Sequence, residues 1–295
     1  MGTTTHSRSA AAAQVIDSIW VASALAYALG TLALDEQDPA FEVLAQAGLI
    51  EPGDTSVLDP GTPPAVAALM RERLISTLGQ AAAIAAHGPG GGWDAYSDDV
   101  LLAQGRFSAI GARMMAANSA FTFDPSTVSD GRPLVIDVGV GVAASACAMA
   151  EAFPESRAIG LDVNARALSL ARDLIKSKGL QDRIELRLQG VEELQDVAIA
   201  SMAHMSPPFI PRPALVAGMS TLFRALRPGG ILILSGLSNP TSNKAHDRWH
   251  AHNTGGTALT IEECAELATA AGFEAPIAMP SRAPAAPLIA TCRRP

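Results

Sequence analysis

Charge is scarce in this sequence. Asp, Glu, Lys and Arg make up only 17% of its 295 residues, and the balance is acidic, with a net charge of −8. A partner read through its phosphate backbone needs a basic footprint, so nucleic acid is argued against. Cysteine is nearly absent: Cys147, Cys264 and Cys292 are odd in number and scattered, which excludes a disulfide framework or a cysteine metal cluster. A cytoplasmic setting is the expectation. Long apolar runs are also rare. One stretch, Val15 to Leu34, approaches the length of a membrane span, but Asp17 interrupts it and no positive cluster flanks it. It is read as a buried helix at a subunit interface rather than as an anchor or a leader. What remains is an Ala-rich chain of mean hydropathy +0.22, long enough for one large domain or two modest ones.

Against that background, Leu134 to Asn164 carries the strongest pattern. Leu134-Val135-Ile136-Asp137-Val138 is a short apolar run with β-branched residues. Gly139 and Gly141 then break it, an Ala-rich helical run reaches Phe153, and a second apolar run ends at Gly160-Leu161-Asp162. This is a strand–loop–helix–strand unit. Its glycines let the backbone approach a ligand, and an acid at the tip of the second strand can take both hydroxyls of a ribose. Gly139-x-Gly141-x-x-Ala144 also fits the dinucleotide fingerprint, in which a pyrophosphate sits on the helix N-terminus. Asp137 tilts the choice, since its carboxylate would oppose a pyrophosphate and suit an ammonium.

The chain before this unit reads as helices over 13–33, 38–48 and 63–86, the last opened by Pro63-Pro64. Gly88-Pro89-Gly90-Gly91-Gly92 is the strongest breaker and a candidate hinge. Trp93 to Asn118 reads as a further helix, and Ser126 to Arg132 as a linker. After Pro133 strands and helices alternate, which implies a parallel sheet covered on both faces. Asn164 caps a helix. Ile184–Leu188 alternates as a half-exposed strand, and Ile199–Met205 reads as a fourth.

Asp137-x-Gly139-x-Gly141, with an acid closing the next strand, resembles the first two motifs of class I S-adenosylmethionine methyltransferases; their third glycine is Ala143 here. Two later segments add to the resemblance. Leu226-Arg227-Pro228-Gly229-Gly230 stands before an apolar strand, and a helix opened by the capping box Thr260-Ile261-Glu262-Glu263 ends at Ala271-Gly272-Phe273. The resemblance covers about residues 131–295. It implies an α/β fold with a doubly wound, mostly parallel seven-stranded sheet and S-adenosylmethionine as cofactor. It also implies roles for individual residues. Asp137, Gly139 and Gly141 would hold the methionine end, and Asp162 the ribose. Gln189, Gly190 and Val191 would meet the adenine, with Met205 at the end of the fourth strand beside them. The family often has an acid at the Val191 position, so moderate cofactor affinity is expected.

A hydroxyl acceptor must also lose a proton, for which His is the natural base. His204 ends the fourth strand, and His246, His250 and His252 lie in the Asn239–Gly256 insert; His204 and His250 are the candidates. His246-x-x-x-His250-x-His252 resembles a metal cluster but lacks a convincingly spaced acid, so no metal is expected. Ser206-Pro207-Pro208-Phe209 resembles the motif of amino methyltransferases and keeps N-methylation open. The expected organisation is a tail over 1–12, a helical lid and dimerisation region over 13–125, and a cofactor-binding domain over 126–295. The expected activity is O-methylation of a small molecule such as a natural product, by a homodimer without membrane or nucleic-acid partner. A degenerate member that binds S-adenosylmethionine without catalysis, and a nicotinamide oxidoreductase, are the competing readings.

Overall fold

The structure is a computed structural model and describes residues 8–31, 33–118, 123, 127–128, 131–240, 243–279 and 288–295. Most of the expected tail, and residues 126, 129 and 130 of the expected linker, lie outside those residues. The chain divides into two compact units, Met1–Gly79 and Gln80–Pro295.

The first unit holds α1 (Arg8–Ala28), α2 (Pro39–Gln46) and most of α3 (Pro64–His87). Asp38 starts α2: its side chain accepts the Ala40 N–H at 2.9 Å, and Pro39 occupies the first helical turn, where its missing N–H is harmless. A small core of Ala28, Leu34, Phe41, Leu44 and Ile50 closes this unit. The helix expected from Ala13 begins earlier, at Arg8, and ends at Ala28. Its middle is not buried by the rest of the chain: Val15, Ile16 and Ile19 are exposed, and Trp20 is 68% exposed. Residues Ala11–Ala28 are long and apolar enough to cross a membrane.

The second unit is built on a seven-stranded sheet. Its strands are β1 (Leu134–Val138), β2 (Arg157–Asp162), β3 (Ile184–Leu188), β4 (Ala200–Met205), β5 (Leu226–Leu237), β6 (Ile277–Ala278) and β7 (Leu288–Arg293). The order is β3-β2-β1-β4-β5-β7-β6, with β7 antiparallel to its neighbours and the first five strands parallel. This is the fold the sequence implied. The helices are α4 (Asp98–Ala116), α5 (Ala144–Ala152), α6 (Ala165–Ser177), α7 (Arg212–Ala225), α8 (Lys244–Thr254) and α9 (Ile261–Ala270).

Strand alternation sorts the core into two layers. Ile136, Val138, Ala203, Met205, Leu232 and Leu234 face one way and pack with Leu215, Met219 and Leu222 of α7. Val135, Met202, Ile231 and Ile233 face the other way, among Ala146, Cys147 and Ala150 of α5 and Leu168, Ala171 and Ile175 of α6. Two expected spans differ in detail. Trp93–Asn118 is not one helix, because a single 3-10 turn over Gly92–Ala95 is followed by α4, which starts after Ser97. The Arg227–Gly230 turn is drawn into β5 as a bulge: Ala200 pairs with Leu226, and Met202 with Ile231.

The helix α4 belongs to this unit, seated against α5 and the loop before it. A Cβ on Gly105 would lie 2.3 Å from Val142 Cγ2, so the helix lies against the loop more closely than any side chain at this position would permit.

Candidate active site

The carboxyl ends of the parallel strands gather the polar side chains that the layered core cannot hold. Between β1 and α5 the chain makes a compact turn with Gly139 at φ 69°, Gly141 at φ 55° and Ala143 at φ 59°. Gly139 and Val140 donate their N–H groups to Leu161 O, at 2.8 and 3.0 Å, which ties the turn to the end of β2. Left-handed backbone at 139 and 141 is why glycine stands there. Ala143 adopts the same region with a Cβ, a strain of about 1 kcal/mol, in a fully buried position.

Asp162 closes β2 and braces this turn. Its Oδ2 accepts the Gly141 N–H at 2.7 Å and its Oδ1 accepts the Asn164 N–H at 2.8 Å. Asn164 in turn caps α6 through Ala167 N–H and donates to Asp94 Oδ1 at 2.9 Å. Burial pushes the Asp162 carboxyl above its ordinary value, and the negative charge of Asp137 adds to the rise, against the lowering by backbone donors. Two carboxylates that repel each other at one strand edge suit a cationic ligand and oppose a pyrophosphate.

Asp137 is buried on β1, in register with His204 on β4. His204 Nδ1 lies 2.8 Å from Asp137 Oδ1, and Nε2 lies 2.8 Å from Ser235 Oγ on β5. His204 therefore sits among the expected cofactor residues, clamped on both ring nitrogens. Its neighbour Met205 points to the opposite face and is wholly buried in the core, so any part it plays runs through packing.

The remaining sequence candidates spread along the same edge. Gln189 donates its N–H to Asp162 O at 3.1 Å, which places the end of β3 beside the end of β2. Gly190 donates its N–H to Glu193 Oε2 at 3.2 Å. Val191 is buried against Gly218 of α7, and its carbonyl accepts from Thr221 Oγ1 at 2.7 Å. Its side chain serves the core, leaving its backbone to border the loop. An acid does lie close by: a Cβ on Gly190 would meet Glu192 Oε2 at 2.5 Å, so the Glu192 carboxylate folds over Gly190. Position 191 alone stood out in the sequence, and its neighbour was missed.

On the far side of the edge an aromatic group forms. The Trp93 ring meets Tyr96 at 5.3 Å and Phe209 at 5.4 Å between centroids, and Phe209 meets His250 at 5.9 Å, all edge-on. His250 is thus brought to the Ser206–Phe209 turn, on the helix α8 rather than in a loop. Gly256 lies against that turn: a Cβ there would be 1.9 Å from Pro208 O. Thr254 Oγ1 donates to Pro208 O at 2.6 Å, and Thr257 N–H to Pro207 O at 2.9 Å. Tyr96 Oη donates to Asn253 O at 3.1 Å, and Arg166 donates to the carbonyls of Trp93 and Tyr96. Among the described residues no group of three or more His, Cys, Asp or Glu could hold a metal ion. Ser235 and Asp94 carry no motif of their own; only the fold brings them to the site.

Residues 135–230 match the family described as "Methyltransferase domain". Among curated proteins none matches this chain by sequence. Solved structures with the same fold include the mitomycin 7-O-methyltransferase MmcR, at 19% identity, TM-score 0.60 and 97% coverage of both chains. Human N-acetylserotonin methyltransferase in complex with SAM is similar at 13% identity and TM-score 0.61, over 100% of this chain and 99% of that one. The S-adenosylmethionine-dependent methyltransferase SibL is similar at 16% identity and TM-score 0.60, over 97% and 99%.

Proposed function

We propose that the chain, whose residues 135–230 match a methyltransferase domain, uses S-adenosylmethionine to methylate a hydroxyl oxygen of a small molecule. The observation that carries this reading is the pairing of Asp137 with Asp162 at the strand edge, beside a histidine and an aromatic acceptor side. Two mutually repelling carboxylates fit a cofactor with an ammonium, a sulfonium and a ribose, and set aside the nicotinamide reading of the same glycines. Asp162 keeps lone pairs for the two ribose hydroxyls after serving Gly141 and Asn164. Asp137 would hold the ammonium through the oxygen that His204 does not use. Gln189 and Gly190 would border the adenine, with Glu192 placed to accept from its amino group.

When bound, S-adenosylmethionine supplies a methyl carbon on positively charged sulfur. The protein's share is to orient the acceptor, exclude water and take up a proton. Trp93, Phe209 and His250 offer ring surfaces for a planar acceptor, and His204 offers a destination for the proton, held by Asp137. Oxygen is favoured over nitrogen because a histidine able to take a proton lies beside the site, whereas the carbonyls that would receive an amino group already accept one hydrogen bond each. Pro207 and Pro208 carbonyls accept from Thr257 and Thr254, and Ser206 Oγ donates to Ser235 O at 3.1 Å. A histidine bonded to a carboxylate and a hydroxyl beside the site speaks for catalysis rather than for a scaffold that merely binds the cofactor.

A natural-product acceptor, a cytoplasmic setting and a homodimer complete the reading. Proteins of similar structure include a mitomycin O-methyltransferase and PigF with SAH, and the exposed apolar face of α1 calls for a second copy. The test is direct. Purified protein with S-adenosylmethionine is offered panels of phenols, alcohols and amines, and products are weighed by mass spectrometry. Methylated phenol or alcohol is the expected outcome; methylation of amines alone would overturn the oxygen assignment.

A further inference from the structure

The hydroxyl of Ser235 belongs to no motif, yet it occupies the outer end of a three-residue chain. Asp137, His204 and Ser235 lie on the adjacent strands β1, β4 and β5. Asp137 and His204 are register partners, and Ser235 follows two residues after Ile233, the register partner of His204. Side-chain alternation therefore puts all three on one face of the sheet. The two links are equal, 2.8 Å from Asp137 Oδ1 to His204 Nδ1 and 2.8 Å from His204 Nε2 to Ser235 Oγ.

The proton positions follow from the chemistry of the partners. Asp137 as a carboxylate has only lone pairs to offer His204 Nδ1 at 2.8 Å, so it can only accept. Nδ1 must then carry the imidazole proton, and Nε2 presents its lone pair to Ser235. Ser235 has to donate across that link. His204 thus has neither nitrogen open to an acceptor, and the direct general-base role expected for it from the sequence is sterically taken.

We propose that Ser235 is the catalytic residue through which the acceptor's proton reaches His204, an inference that rests on the hydroxyl-methylation reading. The acceptor O–H donates to Ser235 Oγ while Ser235 passes its own proton to Nε2. Ser235 is left neutral, His204 becomes an imidazolium paired with Asp137, and the acceptor oxygen gains the electron pair with which it takes the methyl group. The imidazolium returns its proton to water between turnovers. Asp137 acts as the positioning residue that fixes the tautomer.

Two measurements test this on the full chain. In the first, phenol and thiophenol are compared as acceptors at about pH 8, where phenol keeps its proton and thiophenol has lost it. Ser235→Ala should lower turnover of phenol by about 10²- to 10⁴-fold and leave thiophenol within about threefold, while Ser235→Thr should restore phenol. Equal loss on both acceptors, or none on either, overturns the relay. In the second, ¹⁵N NMR of the imidazoles reads the His204 tautomer without any turnover. A protonated Nδ1 and bare Nε2, with Nε2 alone disturbed in Ser235→Ala, supports the relay; a protonated Nε2 overturns it. Should the panel of phenols, alcohols and amines show methylation of amines alone while the NMR shows the expected tautomer, the hydroxyl reading fails and the proton chain stands.

Discussion

The carboxylate of Asp162 accepts the backbone N–H of Gly141 at 2.7 Å, so the acid at the tip of the second strand also shapes the glycine turn after the first. One side chain is therefore committed both to the loop and to the ligand expected there. Burial, and to a smaller extent the nearby Asp137, raise the Asp162 carboxyl above the ordinary 3.8, against the backbone donors Asn164 and Gly141, which lower it.

Asp162→Asn should weaken S-adenosylmethionine binding by about 1.5–3 kcal/mol, because ribose hydroxyls lose a charged acceptor. Calorimetry giving wild-type affinity would sink the ribose assignment. The raised acidity also fixes a sign. A carboxyl whose folded value lies above its unfolded value contributes stability that is present below the unfolded value and lost as pH rises through the folded one. In the absence of cofactor, the Tm of the wild type relative to Asp162→Asn should therefore fall as pH climbs from below 3.8 through the raised value. A rise over the same window would show that the backbone donors outweigh burial.

Arg166 fastens the Gly92–Ala95 turn to the start of α6, through Trp93 O at 3.4 Å and through Tyr96 O. Its ion pair with Asp98, at 3.4 Å, is exposed on both sides and adds little. Arg166→Ala should free this segment by about 1–2 kcal/mol, with Asn164 to Asp94, Tyr96 to Asn253 and Trp93 against Phe209 among the remaining ties. Hydrogen exchange across residues 92–98 should quicken several-fold, and added S-adenosylmethionine should slow it if the segment closes over the cofactor. Exchange indifferent to both would remove the lid from the account.

Gly256 carries a different burden. With a Cβ 1.9 Å from Pro208 O, alanine must push the end of α8 away from the Ser206–Phe209 turn, because backbone on both sides has no rotamer to yield. Overpacking of this kind costs about 1–3 kcal/mol. Gly256→Ala should raise KM for the acceptor and lower Tm by several degrees, while cofactor affinity stays within about twofold. A matching loss of cofactor affinity would show that the two sides of the edge are not separable.

The glycine turn and the acid that braces it were legible in the sequence because they are local. Asp137, Gly139, Gly141 and Asp162 lie within one strand–loop–helix–strand unit, where spacing dictates position. The sheet followed from the alternation after Pro133, and the caps Asn164 and Thr260 stand where their residue types predicted. What could not be read was whatever depends on neighbours far along the chain. Ser235 is 31 residues from His204, and strand register alone joins them. Met205 shows the reverse error: adjacent to His204 in sequence, it is turned to the other face by the two-residue period of a strand. The break at Ser97 is hidden in the sequence because the apolar spacing of Trp93 to Met115 runs through it. The apolar content of α1 predicts burial, whereas Val15, Ile16, Ile19 and Trp20 are exposed in the structure.

That uncovered face makes the last prediction. Ile16, Ile19, Trp20 and Tyr27 stand on the helix surface at spacings of three, one and seven residues, and each is at least half exposed. A contiguous apolar face of this kind signals an interface or a membrane rather than a solvated surface. Asp17 on the same helix and the absence of a basic last turn disfavour a lipid surface, which would draw lysine and arginine. A second copy of α1, packed about a two-fold axis, brings the same side chains to both sides of the seam. Light scattering at micromolar concentration should therefore report a dimer. The double change Ile16→Asp with Trp20→Asp should give monomers, since burying two unpaired carboxylates in an apolar seam costs more than the remaining apolar area can offset. Circular dichroism should show that the sheet unit remains folded in those monomers. A wild-type chain that stays monomeric and soluble at that concentration, or that floats with anionic vesicles, would sink the dimer.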